Sequence, residues 1–238
     1  MDFVEKGITA IIGSGGKTTL MYYLARTLSI KHKVIISTTT KIYEPDYNNP
    51  KAFGYFPNSD FMTLFENSIT LTSPTKEDIK KQLYTSNLIC IGEKSENGKL
   101  KVPNLNFCKI TDIADFVILE CDGSKGFPLK AHKNYEPVIP KGTNKTIQVL
   151  GIKGIGKRIN DACHRADIYA KICGKTTDDI VTPEDAAKVV LEETFCDVLI
   201  INQIENDFEM DAAKEIASYM NIPAYGGEIG KGELICLQ

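Results

Sequence analysis

The sequence predicts an α/β chain with a phosphate-loop, doubly wound and mostly parallel sheet, carrying a small irregular or β-rich insert. Three observations carry that expectation. Short apolar runs, such as "ITAII" (Ile8–Ile12) and the four residues Phe116 to Leu119, alternate with stretches of helical period. The first run leads through "GSGGKTT" directly into a helical pattern. Acidic and amide residues (Glu120, Asp122, Asn202, Gln203) stand at or just past the ends of later runs, where ligands gather in open α/β sheets.

Each element follows from its local composition. "ITAII" is rich in β-branched residues and bounded by glycines, which suits a buried strand. "KTTLMYYLARTLS" places Leu20, Tyr23, Leu24, Thr27 and Leu28 at helical spacing. "KVIISTTT" (Lys33–Thr40) is a second strand, and the three make a β-α-β unit with a right-handed crossover. From Tyr43 to about Ser59 the chain is rich in Pro, Asn, Asp and aromatics and reads as a loop. "SITLTS" reads as a strand and "KEDIKKQLYT" as a short helix. "NLICIGE" (Asn87–Glu93) is a strand followed by a turn at Asn97–Gly98. In "ITDIADFVILECDGS" a helix end precedes the strand Phe116–Glu120, and "KTIQVLGI" is a further strand. "RINDACHRADIYAKICG" and "TPEDAAKVVLEE" read as helices, with Thr182 as N-cap and Pro183 at the first helical position. "CDVLIINQIE" is a late buried strand, "DAAKEIASYM" is the last helix, and a short extended tail follows. No internal repeat occurs and no long linker divides the chain. One domain over 1–238 is expected, with an insert at about 43–104.

Composition narrows the function. Hydrophobic residues make up 42% and charged residues 25%, as in ordinary globular proteins. The net charge of −3 gives no generally basic surface, so no nucleic-acid partner is expected. "MDFVEKG" lacks the basic flank and apolar run of a signal peptide, and no stretch reaches the ~18 apolar residues of a membrane span. A cytoplasmic protein without a membrane partner is the expectation. The seven cysteines include no C-x-x-C pair and sit beside apolar runs, which suits reduced structural thiols better than a zinc site.

The chemistry starts at Gly13-Ser14-Gly15-Gly16-Lys17-Thr18-Thr19. Glycines let backbone N–H groups converge on an anion, and a helix N-terminus adds favourable partial charge. Lys17 would bridge the outer phosphates of a nucleotide, and the Thr18 hydroxyl would meet Mg²⁺. The standard G-x-x-x-x-G-K-[ST] pattern needs a glycine where Ile11 stands. The compact G-x-x-G-K-T-T form resembles the loop of Mur-type ligases instead. A glycine-rich turn with a solvated lysine is the plainer alternative, but strand, loop and helix agree against it.

Such a loop needs a carboxylate for its metal. Glu120 and Asp122 lie on one face of an extended chain at a strand end, and either could hold Mg²⁺, which prefers oxygen ligands. Thr40 and Lys41, in "STTTKI", could meet a γ-phosphate or its water. Lys125, Lys130 and His132 follow the acidic pair and could stabilise transferred charge or carry a proton. Each also has a structural alternative, as a turn cap, a polar strand end or an internal histidine. Asn202 and Gln203 stand where GTPases use Asn-Lys-x-Asp to read guanine. With Gln203 and Glu205 in place of Lys and Asp, they could read a base edge without choosing ATP over GTP. "GIKGIG" (Gly151–Gly156) is not the G-x-G-x-x-G dinucleotide pattern and reads as a substrate loop, with Lys153, Lys157 and Arg158 available to anions. Cys121 lies between the two carboxylates, which would raise its pKa and disfavour a reactive thiolate there.

Together, "GSGGKTTL", "STTTKI", "ILECDGSKGFPLKAH", "YEPVIP" and "VLIINQIE" resemble the YqeC family, whose members are described as selenium cofactor biosynthesis proteins or accessory proteins of selenium-dependent molybdenum hydroxylases. "ECDGSKGFPLKAH" is the specific part. The resemblance implies a cytoplasmic phosphate-loop protein acting on, or delivering selenium to, a molybdenum cofactor. The partners it implies are that cofactor or a molybdenum hydroxylase. The residues leave three readings open: a Mg²⁺-dependent ATPase or GTPase, an ATP-dependent ligase or kinase of a small acid, and a non-catalytic, nucleotide-switched cofactor chaperone.

Overall fold

A computed structural model describes residues 3–46, 68–95 and 98–238. The chain forms two compact units. The first takes Met1–Ile11, Thr18–Asp122 and Val138–Lys145; the second takes Ile12–Lys17, Gly123–Pro137 and Thr146–Gln238.

In the first unit, β1 (Gly7–Gly13, up to Ile11) pairs in parallel with β7 (Phe116–Glu120). Next to β7 runs β2 (Val34–Thr38), then β5 (Leu88–Lys94), again in parallel. β4 (Ile69–Thr72) is parallel to β5. At the margin, β5 pairs antiparallel with β6 (Lys99–Lys101), and β6 with β3 (Lys41–Tyr43). Helices α1 (Lys17–Ser29, from Thr18) and α2 (Lys76–Thr85) belong here, α2 starting in a Thr75–Asp78 capping box. The middle strands are continuous apolar runs because helix-covered parallel sheets are buried on both faces. Val117, Ile118 and Leu119 are wholly buried. Truncating Ile118 or Leu119 to Ala would cost roughly 2–5 kcal/mol.

In the second unit, β9 (Thr143–Gly151, from Thr146), β11 (Val198–Asn202) and β12 (Ala224–Glu228) are parallel neighbours, and β13 (Glu233–Cys236) closes antiparallel on β12. A separate parallel pair joins β8 (Leu129–Lys130) to β10 (Cys163–His164). Helices α3 (Ile159–Ala162), α4 (Ala166–Cys173), α5 (Pro183–Glu193) and α6 (Asp207–Ser218) complete it. Thr182 caps α5 and Pro183 opens it, as expected. Tyr169 of α4 and Ile216 of α6 pack in one apolar core with Leu199 and Ile201.

The parallel α/β class holds, and three local expectations need correction. "RINDACHRADIYAKICG" is not one helix. Cys163 and His164 leave helical geometry to pair with β8, and Arg165 adopts a left-handed φ of +68°. Hydrogen bonding to a distant strand overrides the local helical preference there. Before β7 the turn of helix is a 3₁₀ piece, Phe107–Lys109, followed by hydrogen-bonded turns. The extended tail resolves into two strands, β12 and β13. Of the expected insert, residues 47–67 and 96–97, with most of the loop and Asn97 of the turn, lie outside the described residues.

Candidate functional site

β1 delivers the chain to the phosphate loop, and the three loop glycines all take left-handed φ: +91° at Gly13, +77° at Gly15 and +136° at Gly16. Side-chain-bearing residues rarely adopt such angles. Space forbids side chains as well. A Cβ on Gly15 would collide with the backbone of Gly151, and one on Gly16 with the Asn202 amide. Gly151 and Asn202 are register partners at the C-terminal ends of β9 and β11. The loop segment Gly13–Lys17 is thus seated within the second unit on two strand ends.

Hydrogen bonds hold that seat. The Ser14 N–H donates to Val149 O (2.9 Å), and the Ser14 hydroxyl donates to Pro128 O (2.8 Å). Asn202 Nδ2 donates to Gly15 O (2.8 Å), while its Oδ1 accepts from Ile229 N–H (2.9 Å). The buried amide of Asn202 therefore serves the loop's own backbone, in place of the base edge expected from sequence. Gln203, at φ +70°, turns its Oε1 toward Gly151. The buried Lys17 ammonium donates to Gly13 O (2.7 Å), curling over the loop it follows. The first N–H groups of an α-helix lie beyond the reach of the helix's own carbonyls and suit an anion. No acidic residue stands in the first turn of α1 to compete with an anion.

Within the first unit, the Thr18 hydroxyl donates to Glu120 Oε2 at 2.6 Å. This brings together the two residues expected at a metal. Glu120 is buried at the end of β7, opposite Thr38 in register, and its backbone oxygen accepts from the Thr38 hydroxyl (2.8 Å) and the Thr39 N–H (3.1 Å). Thr39 commits its hydroxyl to Val138 O (2.8 Å). The Thr40 hydroxyl lies 3.3 Å from that of Thr38, and Lys41 is exposed. Asp122 is wholly buried. Burial, added to by Asp122 and Glu120, pushes the Cys121 thiol up to about 12, so it stays protonated at neutral pH.

Other expected residues have structural posts. The Lys130 side chain is completely buried, donating to Gly123 O (2.8 Å) and pairing with Glu136 (3.2 Å). His132 is buried edge-on against Phe195, with its backbone N–H and Nδ1 both on the Glu193 carboxylate (2.6 and 2.7 Å). Neither is a solvent-facing group waiting for substrate. Lys153, expected to meet anions, pairs with Glu205 (3.0 Å) and Glu209 (2.6 Å). Gly151 of the same "GIKGIG" is a seat for the loop; a glycine closing an apolar strand was the signal for it. The roles of Pro128 and Glu193 had no sequence signal, because each depends on a partner 61 or more residues away, and Glu136 joins Lys130 to Arg165, 29 residues beyond it.

Comparison with known proteins adds a lineage. The family model "YqeC protein" matches residues 9–167. A relative from Escherichia coli (strain K12), named "Uncharacterized protein YqeC", is 29% identical over 189 residues, covering 77% of this chain and 67% of its own length. Among solved structures, chloroplast FtsY from Physcomitrella patens matches 98% of this chain at 12% identity with a TM-score of 0.46. The chain spans 62% of that FtsY chain. The MinC:MinD cell division protein complex of Aquifex aeolicus matches 95% of this chain and 86% of its own, at 12% identity and a TM-score of 0.41.

Proposed function

The chain belongs to the YqeC family, and we propose that it is a Mg²⁺-dependent nucleotide-binding protein that hydrolyses ATP or GTP during maturation of a molybdenum hydroxylase. The observation that carries the nucleotide reading is the glycine loop ahead of α1, seated by the Ser14 and Asn202 hydrogen bonds and followed by a helical turn bare of acidic side chains. Its N–H groups and the Lys17 ammonium suit the phosphates. Thr18 and Glu120 offer a hydroxyl and a carboxylate 2.6 Å apart, an all-oxygen set that fits Mg²⁺. Among the described residues, no group of three or more His, Cys, Asp or Glu could hold a metal alone. That suits an ion completed by phosphate oxygens and water. When bound, Mg²⁺ would neutralise developing phosphate charge.

The chain's own residues position the reactants. Lys17 orients and neutralises the outer phosphates. Thr40, just past β2, and Lys41, which opens β3, supply a hydroxyl and a cation for the transferred group. Asp122, two residues beyond Glu120, is the alternative carboxylate for the metal or faces the transferred phosphoryl group. Positioning and charge stabilisation supply most of the rate in such chemistry. The compact loop favours one second reading, phosphoryl transfer to a small acid in place of water. The molybdenum and selenium context rests on the family resemblance.

The test joins both levels. Purified protein should release phosphate from ATP or GTP only with Mg²⁺. A strain lacking the protein should lose molybdenum hydroxylase activity, restored by the wild type and not by Lys17→Ala. Phosphate release unchanged in Lys17→Ala would overturn the enzyme reading, and full hydroxylase activity without the protein would overturn the maturation role. No helix among the described residues is long and apolar enough to cross a membrane.

A further inference from the structure

One cluster in the second unit has no part in the loop's chemistry. The pairing of β8 with β10 sets Lys130 opposite His164. Arg165 follows, and its guanidinium donates to Glu136 Oε1 (3.0 Å), while Lys130 faces the other oxygen of the same carboxylate (3.2 Å). Two buried polar groups of this cluster make no hydrogen bond to any described residue. The Nε of Arg165 is buried with no hydrogen-bond partner among the described residues. The His164 ring makes no hydrogen bond to any described residue, and it stacks on Phe127 with centroids 6.1 Å apart and planes at 21°. Phe127 lies next to Pro128, whose carbonyl receives the Ser14 hydroxyl of the phosphate loop.

The backbone adds a third feature. Arg165 has a φ of +68°, where glycine is relaxed and an arginine is strained. Strain of this kind persists where the surroundings fix it, and it gathers at ligand sites.

We infer that Arg165 and His164, stacked over Phe127, form a binding site for a phosphoryl or carboxylate oxyanion, the recognition group of a second substrate. The guanidinium fork presents Nε beside its terminal nitrogens, and this fork matches two oxygens of either oxyanion. A neutral imidazole supplies one donor and one acceptor alongside it. The local field agrees. Burial, then Arg165, Lys130 and Lys125, pull the His164 imidazolium down to about 4, against the opposing pull of Glu136. The ring is neutral at physiological pH in a surplus of positive potential, which an incoming anion would relieve. Calling the ligand a second substrate rests on the nucleotide reading; the oxyanion site itself does not.

The test uses the full chain carrying Lys17→Ala, so that the phosphate loop does not report. The sequence holds three histidines, His32, His132 and His164, so ring proton signals are few, and His164→Gln assigns the third. Inorganic phosphate or acetate is titrated at pH 7 and constant ionic strength against chloride. The site predicts a saturable shift of the His164 signals, and a rise of about one unit in its protonation midpoint when the anion is bound. A response to phosphate names a phosphoryl group; a response to acetate alone names a carboxylate. Arg165→Gly relaxes the left-handed position, which offsets part of the lost ion pair with Glu136, and should lose the shift. Should that variant melt early, Arg165→Lys keeps the charge and should weaken the response. Drift equal to that in chloride, or a saturable shift that survives Arg165→Gly, would overturn the assignment. Failure of nucleotide binding in the parent chain leaves these results unchanged.

Discussion

The phosphate loop and the segment from Phe127 to Glu136 both hold a buried lysine, yet different forces shape them. Lys17 sits on a loop fixed by main-chain bonds, three left-handed glycines and one amide. Lys130 sits in a web of side-chain charges, with Glu136 between it and Arg165, and with His132 nearby in sequence anchored to Glu193. The loop is intolerant of volume and the segment is intolerant of charge change. A methyl group should wreck the first, and an isosteric loss of charge should wreck the second.

Substitutions can break or sharpen that contrast. Gly16→Ala should have the largest effect, because the new Cβ meets the Asn202 amide and strains a φ of +136°. Nucleotide binding should vanish, and stability should fall by about 3 kcal/mol in denaturant melts. Wild-type affinity in this variant would refute the volume argument. Glu136→Gln comes next. It leaves Lys130 and Arg165 facing a neutral amide, and should cost about 2 kcal/mol, toward the low end because the carboxylate is partly exposed.

Glu136 also sets an acid limb. Burial pulls its carboxyl upward, but the Lys130 and Arg165 cations outweigh burial and hold it below the ordinary 4.5. Its stabilisation is therefore complete above pH 4.5 and is lost as pH falls through the lower folded value. Acid unfolding monitored by circular dichroism should show a shallower limb in Glu136→Gln, and an unchanged limb would count against the ion-pair web.

Smaller effects belong to the loop's supports. Glu120→Gln should reduce Mg²⁺-dependent affinity about tenfold while leaving Mg²⁺-free nucleotide binding intact, since the residue's proposed work is at the metal. Asn202→Ala removes a bond to Gly15 O and one from Ile229 N–H, and should cost roughly 1–3 kcal/mol with a loosened loop. Calorimetry on each variant, with a parallel melt, separates affinity from folding.

What could be read from the sequence follows the same divide. Strand, glycine loop and helix are contiguous, so Gly13 to Thr18 announced their geometry, and the apolar runs announced the parallel strands. The pairing of Thr18 with Glu120 was also legible, since a carboxylate at a strand end is a local feature. The posts of Lys130 and His132 were not. Their partners, Glu136 and Glu193, are ordinary surface-type residues in sequence, and only the fold turns them inward. Arg165 was hidden inside an apparently helical stretch without a Gly or Pro to mark the break. Asn202 stands at a strand end, as its sequence context indicates, but no local signal ties its amide to a backbone oxygen 187 residues earlier.

The central claim is that the Gly13–Lys17 loop holds the phosphates of a nucleotide. The most direct measurement is isothermal calorimetry of the purified protein with ATP and with GTP, with and without Mg²⁺, beside Lys17→Ala. Mg²⁺-strengthened binding of at least one nucleotide is expected, weakened at least about a hundredfold in a Lys17→Ala protein that melts like the wild type. No heat from either nucleotide, or equal affinity in the folded Lys17→Ala variant, would contradict it.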